Sequence, residues 1–114
     1  MKEKLIGHVW VDSGQIMLGD PCYLTDWGGN DFNDAKEGRF SSAKFTYDYH
    51  GACEASMSKD NAGMLNEGSA AVVTSGFGDG AYPVTITYSD EGSWGRRVKS
   101  VRIDFITDEE EEDS

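Results

Sequence analysis

The chain has 114 residues, of which 38% are hydrophobic and 11% aromatic, and this suits one folded domain with a modest core. Its 21 acidic and 10 basic residues give a formal net charge of −11, which repels phosphate backbones and argues against direct nucleic-acid binding. No stretch is long enough to span a membrane, and residues 1–8 lack the apolar core of a signal peptide, so we expect a cytoplasmic protein.

The first elements along the chain form a predicted β-hairpin. Residues 5–11 alternate apolar and polar side chains, which indicates a strand, and residues 15–18 suit a returning strand. The connection Asp12-Ser13-Gly14 places glycine where a tight turn favours a left-handed backbone. Gly19-Asp20-Pro21 ends the second strand, because proline cannot donate a hydrogen bond to a sheet.

The middle of the chain is predicted to be mostly irregular. Residues 23–39 are rich in turn formers, with a short helix near residues 33–37 and with Trp27 holding the loop to the body. Residues 44–49 alternate aromatic and polar side chains and predict a strand with an aromatic face. Residues 56–67 are predicted to be a loop with at most one helical turn.

Three further strands are predicted in the last part of the chain. Residues 69–74 form a small apolar strand, and residues 82–88 and 96–106 form a long antiparallel hairpin. Val98 is out of phase with the later apolar residues of its strand, which indicates a bulge near Lys99-Ser100.

Short strands separated by glycine-rich turns predict an all-β protein, a small antiparallel sandwich or open barrel with long irregular loops. Residues 1–106 are expected to form a single domain, and the acidic tail 107–114 to be disordered. The tail either aids solubility or docks onto a basic partner. Cys22 and Cys53 are expected to be free thiols in a reducing compartment.

The chain carries two aspartate-bearing corners, Gly19-Asp20-Pro21 and Gly78-Asp79-Gly80. Each carboxylate either caps backbone N–H groups of its own turn or, if the corners meet, binds a cation or a polar ligand. The aromatic residues beside the corners, Tyr23 and Tyr82, either pack in the core or stack on a base or sugar.

Four of the ten basic residues lie in the last predicted strand, and Arg96 and Arg97 open it. They form either a charged outer face or a contact for a small anion, because the planar guanidinium suits phosphate groups. The candidate ligand-binding residues are therefore Asp20, Tyr23, Asp79, Tyr82, Arg96 and Arg97.

Catalytic chemistry finds little support in the sequence. No nucleophile elbow or phosphate-binding glycine loop is present, and neither a catalytic residue nor a metal ligand nor a cofactor is predicted. His8 and His50 have no ligand spacing, and Cys22 is expected to be inert rather than a nucleophile. A small metal-assisted hydrolase that uses Asp20, Asp79 and one histidine is the alternative.

Three segments carry a resemblance to a known family. They are Gly19-Asp20-Pro21-Cys22-Tyr23, Gly78-Asp79-Gly80-Ala81-Tyr82-Pro83-Val84 and the alternating strand that ends at Phe105. In this order they resemble a family of small bacterial and phage proteins of unknown function. The resemblance implies a compact β-rich cytosolic protein of phage or prophage origin. It suggests a non-enzymatic binding protein, which either inhibits a host protein with a basic surface or sequesters a small nucleotide-like ligand.

Overall fold

A computed structural model describes residues 2–31 and 45–106, which belong to two compact units. The strand unit consists of residues 1–12 and 76–114, and the helix unit consists of residues 13–75. The predicted helix at 33–37 and the acidic tail 107–114 lie outside the described residues.

The described residues form mostly antiparallel β-structure, which confirms the predicted all-β class. The elements are β1 (Glu3–Val11), β2 (Gln15–Gly19), a 3-10 helix (Pro21–Asp26), α1 (Tyr49–Ser56), β3 (Ala62–Leu65), β4 (Ala70–Thr74), β5 (Gly80–Asp90), a second 3-10 helix (Gly92–Trp94) and β6 (Arg96–Ile103). They make two three-stranded sheets, in the orders β1-β5-β6 and β2-β4-β3. Within the described part of the chain neither sheet closes into a barrel.

The sheet of the strand unit is built around β5, the longest strand. Its pairing with β6 confirms the predicted hairpin. Thr87 lies opposite Ser100 whereas Tyr88 lies opposite Val98, so Lys99 is the extra residue of a bulge, as the sequence predicted. The bulge keeps the apolar residues of β6 on one face of the sheet on both sides of Lys99.

The helix unit contains most of the buried apolar residues. Helix α1 packs against β3 and β4, and the core cluster consists of Tyr47, Ala52, Ala55, Leu65, Ala70 and Val72, with Trp27 and Phe45 packed against it. The ring of Trp27 meets that of Tyr47 edge-on at 5.1 Å between centroids, which confirms that Trp27 holds its loop to the body. Three of the six core residues are alanines, so the large aromatic rings supply much of the buried area.

The predicted hairpin of residues 5–11 and 15–18 is wrong. Both strands exist, but β1 pairs with β5 and β2 pairs with β4. The nine residues of β1 find a matching partner in the eleven-residue β5, whereas β2 has only five residues. The turn at residues 12–14 instead carries the chain from one unit into the other.

The predicted aromatic strand at residues 44–49 is also wrong. Residues 45–48 are irregular, and Tyr49 begins helix α1. The cause is the buried carboxylate of Asp48, whose Oδ1 accepts hydrogen bonds from the Gly51 N–H at 2.7 Å and from the Thr46 hydroxyl at 2.6 Å. This N-cap starts a helix where apolar alternation alone suggested a strand. Likewise, strand β3 lies within the predicted loop 56–67.

Candidate functional site

Asp20 takes the turn-holding role that its sequence context allowed. Its carboxylate accepts a hydrogen bond from the Cys22 N–H at 2.9 Å and caps the 3-10 helix that starts at Pro21. The Tyr23 N–H donates to the Asp20 carbonyl at 3.0 Å, and the Tyr23 side chain is exposed. This corner is therefore a closed local turn with an exposed tyrosine on it.

The second corner lies just before β5. Asp79 is exposed there, and the Tyr82 hydroxyl donates to the carbonyl of Gly78. The Tyr82 ring meets Phe105 edge-on at 5.3 Å between centroids. Tyr82 therefore fastens the loop before β5 to the end of its own sheet. Asp20 belongs to the helix unit and Asp79 to the strand unit.

A groove at one end of the strand-unit sheet contains one of the predicted site residues, Arg96. The groove has a volume of about 430 Å³ and is lined by Lys2, Tyr88, Ser89, Asp90 and Arg96. The Arg96 guanidinium carbon lies 4.0 Å from the centroid of the Tyr88 ring. Such stacking holds the guanidinium plane in place while its edge remains able to donate hydrogen bonds.

The charged residues of this groove suit a ligand that has an anionic group and a hydrogen-bond donor. Lys2 and Arg96 are cationic, and in the described part of the chain Arg96 has no carboxylate within ion-pair distance. Asp90 is the single acid among the described lining residues, and its Oδ1 accepts a hydrogen bond from the Gly92 N–H at 3.1 Å. The described lining therefore combines two cations, one acid and an aromatic ring, and the Glu91 carboxylate lies beside it, where it accepts a hydrogen bond from the Ser89 hydroxyl.

The other basic residues of β6 have different surroundings. Arg97 lies opposite Ser89 in the ladder, and because successive strand residues alternate in direction, its side chain lies on the face opposite to that of Arg96. Arg102 donates to Asp104 at 3.0 Å and to Glu3 at 2.9 Å, and these hydrogen bonds raise the pKa of its guanidinium. Arg102 thus ties β6 to β1 across β5.

The geometry brings no three metal-ligand side chains together among the described residues. His50 Nδ1 lies 3.0 Å from Glu54 Oε1, one turn along α1. Cys22 is an exposed free thiol, and Cys53 is a half-buried one. The described residues contain no helix long and apolar enough to cross a membrane.

A second pocket belongs to the helix unit, and no sequence pattern predicted it. It has a volume of about 140 Å³ and is lined by Ser13, Gln15, Met17, Trp27, Tyr49, Ala52 and Val72. Gln15 Nε2 donates to the Cys53 sulfur at 3.6 Å, whereas Gln15 Oε1 is buried and has no hydrogen-bond partner among residues 2–31 and 45–106. The lining residues come from four separate parts of the chain, so no local pattern predicts the pocket.

Comparison with family models, with curated proteins and with solved structures gives no match to this chain.

Proposed function

We propose that this chain is a non-enzymatic binding protein that holds a small nucleotide-like ligand in the groove beside Tyr88. The observation that carries the proposal is the Arg96 guanidinium stacked 4.0 Å above the Tyr88 ring at the wall of a groove of about 430 Å³. Pockets for small ligands have volumes of roughly 300–1,000 Å³. A mononucleotide therefore matches the groove in size, and Lys2 and Arg96 match its phosphate in charge.

Each lining residue has a role in this proposal. Arg96 and Lys2 contact the phosphate, because charge-assisted hydrogen bonds from a guanidinium to a phosphate are strong and can be bidentate. The Tyr88–Arg96 stack offers a flat surface to the base or sugar. Asp90 uses Oδ1 for the Gly92 N–H, so Oδ2 remains to accept a ribose hydroxyl.

The test is a titration of the full chain with AMP, followed by amide NMR. We expect saturable shifts at Tyr88, Ser89 and Arg96. Adenosine and ribose 5-phosphate, titrated separately, show whether the base or the phosphate dominates. Arg96→Gln should weaken AMP binding at least ten-fold, since a hydrogen bond to a charged group contributes about 1.5–3 kcal/mol.

Arg97→Gln is the matched control. It removes the same charge one residue away, but on the face opposite the groove. Equal losses in the two variants would indicate general electrostatic attraction and would contradict a site at Arg96. An absence of saturable shifts with all three ligands would end the proposal.

The expectation of a basic host partner rests on the net charge of −11. Deleting residues 108–114 removes six acidic residues at once, so it distinguishes nucleotide binding in the groove from docking of a basic protein through the tail. Nucleotide binding in the groove should survive this deletion, because the proposed contacts come from Lys2, Tyr88, Asp90 and Arg96. Docking of a basic protein through the tail should not survive it.

A further inference from the structure

The pocket of the helix unit has the size and lining of a site for one small ring. Its volume is about 140 Å³, and its walls are the apolar or aromatic side chains of Met17, Trp27, Tyr49, Ala52 and Val72. An apolar cavity of about 150 Å³ holds a benzene molecule. None of the described lining residues carries a charge, so this part of the pocket does not suit a phosphate or a carboxylate.

Gln15 gives the pocket one unused polar group. Its Nε2 donates to the Cys53 sulfur, and its Oε1 is buried without a partner in the part of the chain that the structure describes. Turning the amide over exchanges the two atoms but still leaves one of them unpaired, because the thiol is the only partner that either atom has among the described residues. Buried polar groups without partners are rare in proteins, so this one calls for a physical reason.

We infer that the helix-unit pocket binds a small uncharged aromatic ring that carries one hydrogen-bond donor, such as a phenol or an azole. The ring occupies the apolar volume between Trp27 and Val72. The final torsion of glutamine is soft, so a modest rotation brings Oε1 to the pocket, where it accepts the donor of the ligand. The indole Nε1–H of Trp27 already donates a hydrogen bond to Asn30 Oδ1 at 2.7 Å, so the indole contributes only apolar surface to the pocket.

The experiment titrates the full chain with phenol and, separately, with benzene, and follows the resonances of Trp27 and Val72. Both probes should bind, with phenol about five-fold tighter, which corresponds to one net hydrogen bond. Gln15→Met replaces the amide with an apolar group of similar length. In that variant the phenol preference should disappear while benzene affinity changes less than two-fold.

A purely structural role for Gln15 would leave the ratio of the two affinities unchanged, so this ratio is the decisive measurement. Ser13→Ala, the control at the other small polar residue of the lining, should preserve the phenol preference. Ala52→Val should block both probes by filling the pocket. If that variant fails to fold, Met17→Trp at the exposed rim gives the same test.

The inference is overturned if neither probe gives saturable shifts at Trp27 and Val72 in the native chain. It is also overturned if phenol and benzene bind equally, or if Gln15→Met retains the preference for phenol.

Discussion

Replacing Gly51 with alanine should strongly destabilise the protein, although alanine is normally the better helix former. Gly51 lies in the first turn of α1 and is buried. A Cβ atom at this position would lie 1.8 Å from the Thr46 carbonyl oxygen and 2.6 Å from the Thr46 nitrogen. Both are backbone atoms, so a change of side-chain rotamer cannot relieve the clash.

The loss of stability in Gly51→Ala can be worked out from the displacement of the segment before α1. Intrinsic helix propensity favours alanine over glycine by about 1 kcal/mol. Against this, the segment before α1 must retreat by about 1.5 Å to restore an ordinary contact, at the typical overpacking cost of about 1–3 kcal/mol. The movement also breaks the N-cap hydrogen bond from the Gly51 N–H to Asp48, which is worth about 1–2 kcal/mol. The net expectation is a loss of about 1–4 kcal/mol in the free energy of unfolding.

The assay is equilibrium unfolding in urea, followed by tryptophan fluorescence, because Trp27 packs against the same core cluster. Glu54→Ala is the control, since Glu54 is an exposed residue of the same helix and its replacement should change stability by less than about 0.5 kcal/mol. If Gly51→Ala is as stable as the native chain, the Thr46 backbone does not lie as close to Gly51 as the structure places it.

Three further substitutions test individual contacts. Gln15→Met should raise the free energy of unfolding by about 1 kcal/mol in the absence of ligand, because it removes a buried unpaired oxygen; a loss of stability in thermal melts would show that the amide is satisfied. Tyr82→Phe should cost about 1 kcal/mol in urea unfolding, because it removes the hydroxyl bond to Gly78, and faster amide exchange at residues 76–80 should accompany it. Asp48→Ala should cost at least about 2 kcal/mol, whereas Asp48→Asn, which keeps an acceptor oxygen, should cost less; equal losses would mean that the cap is not the cause.

Local patterns predicted the parts of the fold that depend on neighbouring residues. The β5–β6 hairpin follows from side-chain alternation, and its bulge at Lys99 follows from Val98, which is out of phase with the later apolar residues of the strand. The choice of partner for β1 is a non-local decision, and a favourable turn sequence at residues 12–14 suggested the wrong one. Turn chemistry limits how a chain can reverse, but strand length and burial decide which strands pair.

The aromatic residues around Asp48 show a second limit. Phe45, Tyr47 and Tyr49 have the spacing of a strand face, yet Tyr47 is buried in the core and Tyr49 begins a helix. The signal that could have corrected the prediction was Asp48 itself, a strong N-cap residue ahead of the small residues of α1. The two hydrogen bonds that the Asp48 carboxylate accepts stabilise the start of a helix, so the alternation of aromatic residues does not lead to a strand.

The groove at Arg96 and the pocket at Gln15 also depend on contacts between distant parts of the chain, which local sequence patterns do not predict. Arg96 was a candidate because of its type and its basic neighbours, but its stacking partner Tyr88 and the nearby Lys2 come together only through the sheet. The pocket at Gln15 combines residues from the strands β2 and β4, from two connecting segments and from helix α1, and these residues form no sequence motif. Residue type thus predicted one residue of the groove, Arg96, whereas the other residues beside it are determined by strand pairing, which the sequence pattern does not reveal.

The division into two units leads to a last prediction, which also tests the expected single domain over residues 1–106. The helix unit is one continuous segment, and its ends meet, because the Ser75 N–H donates to the Gly14 carbonyl at 3.0 Å. Residues 13–75 expressed alone should therefore fold, with dispersed amide NMR signals and a cooperative thermal transition. A domain of about 60 residues buries a smaller share of its surface than a larger one, so its melting temperature should lie below that of the full chain. If the fragment instead gives collapsed signals without a cooperative transition, the two units are interdependent and the chain folds as the single domain that its length suggested.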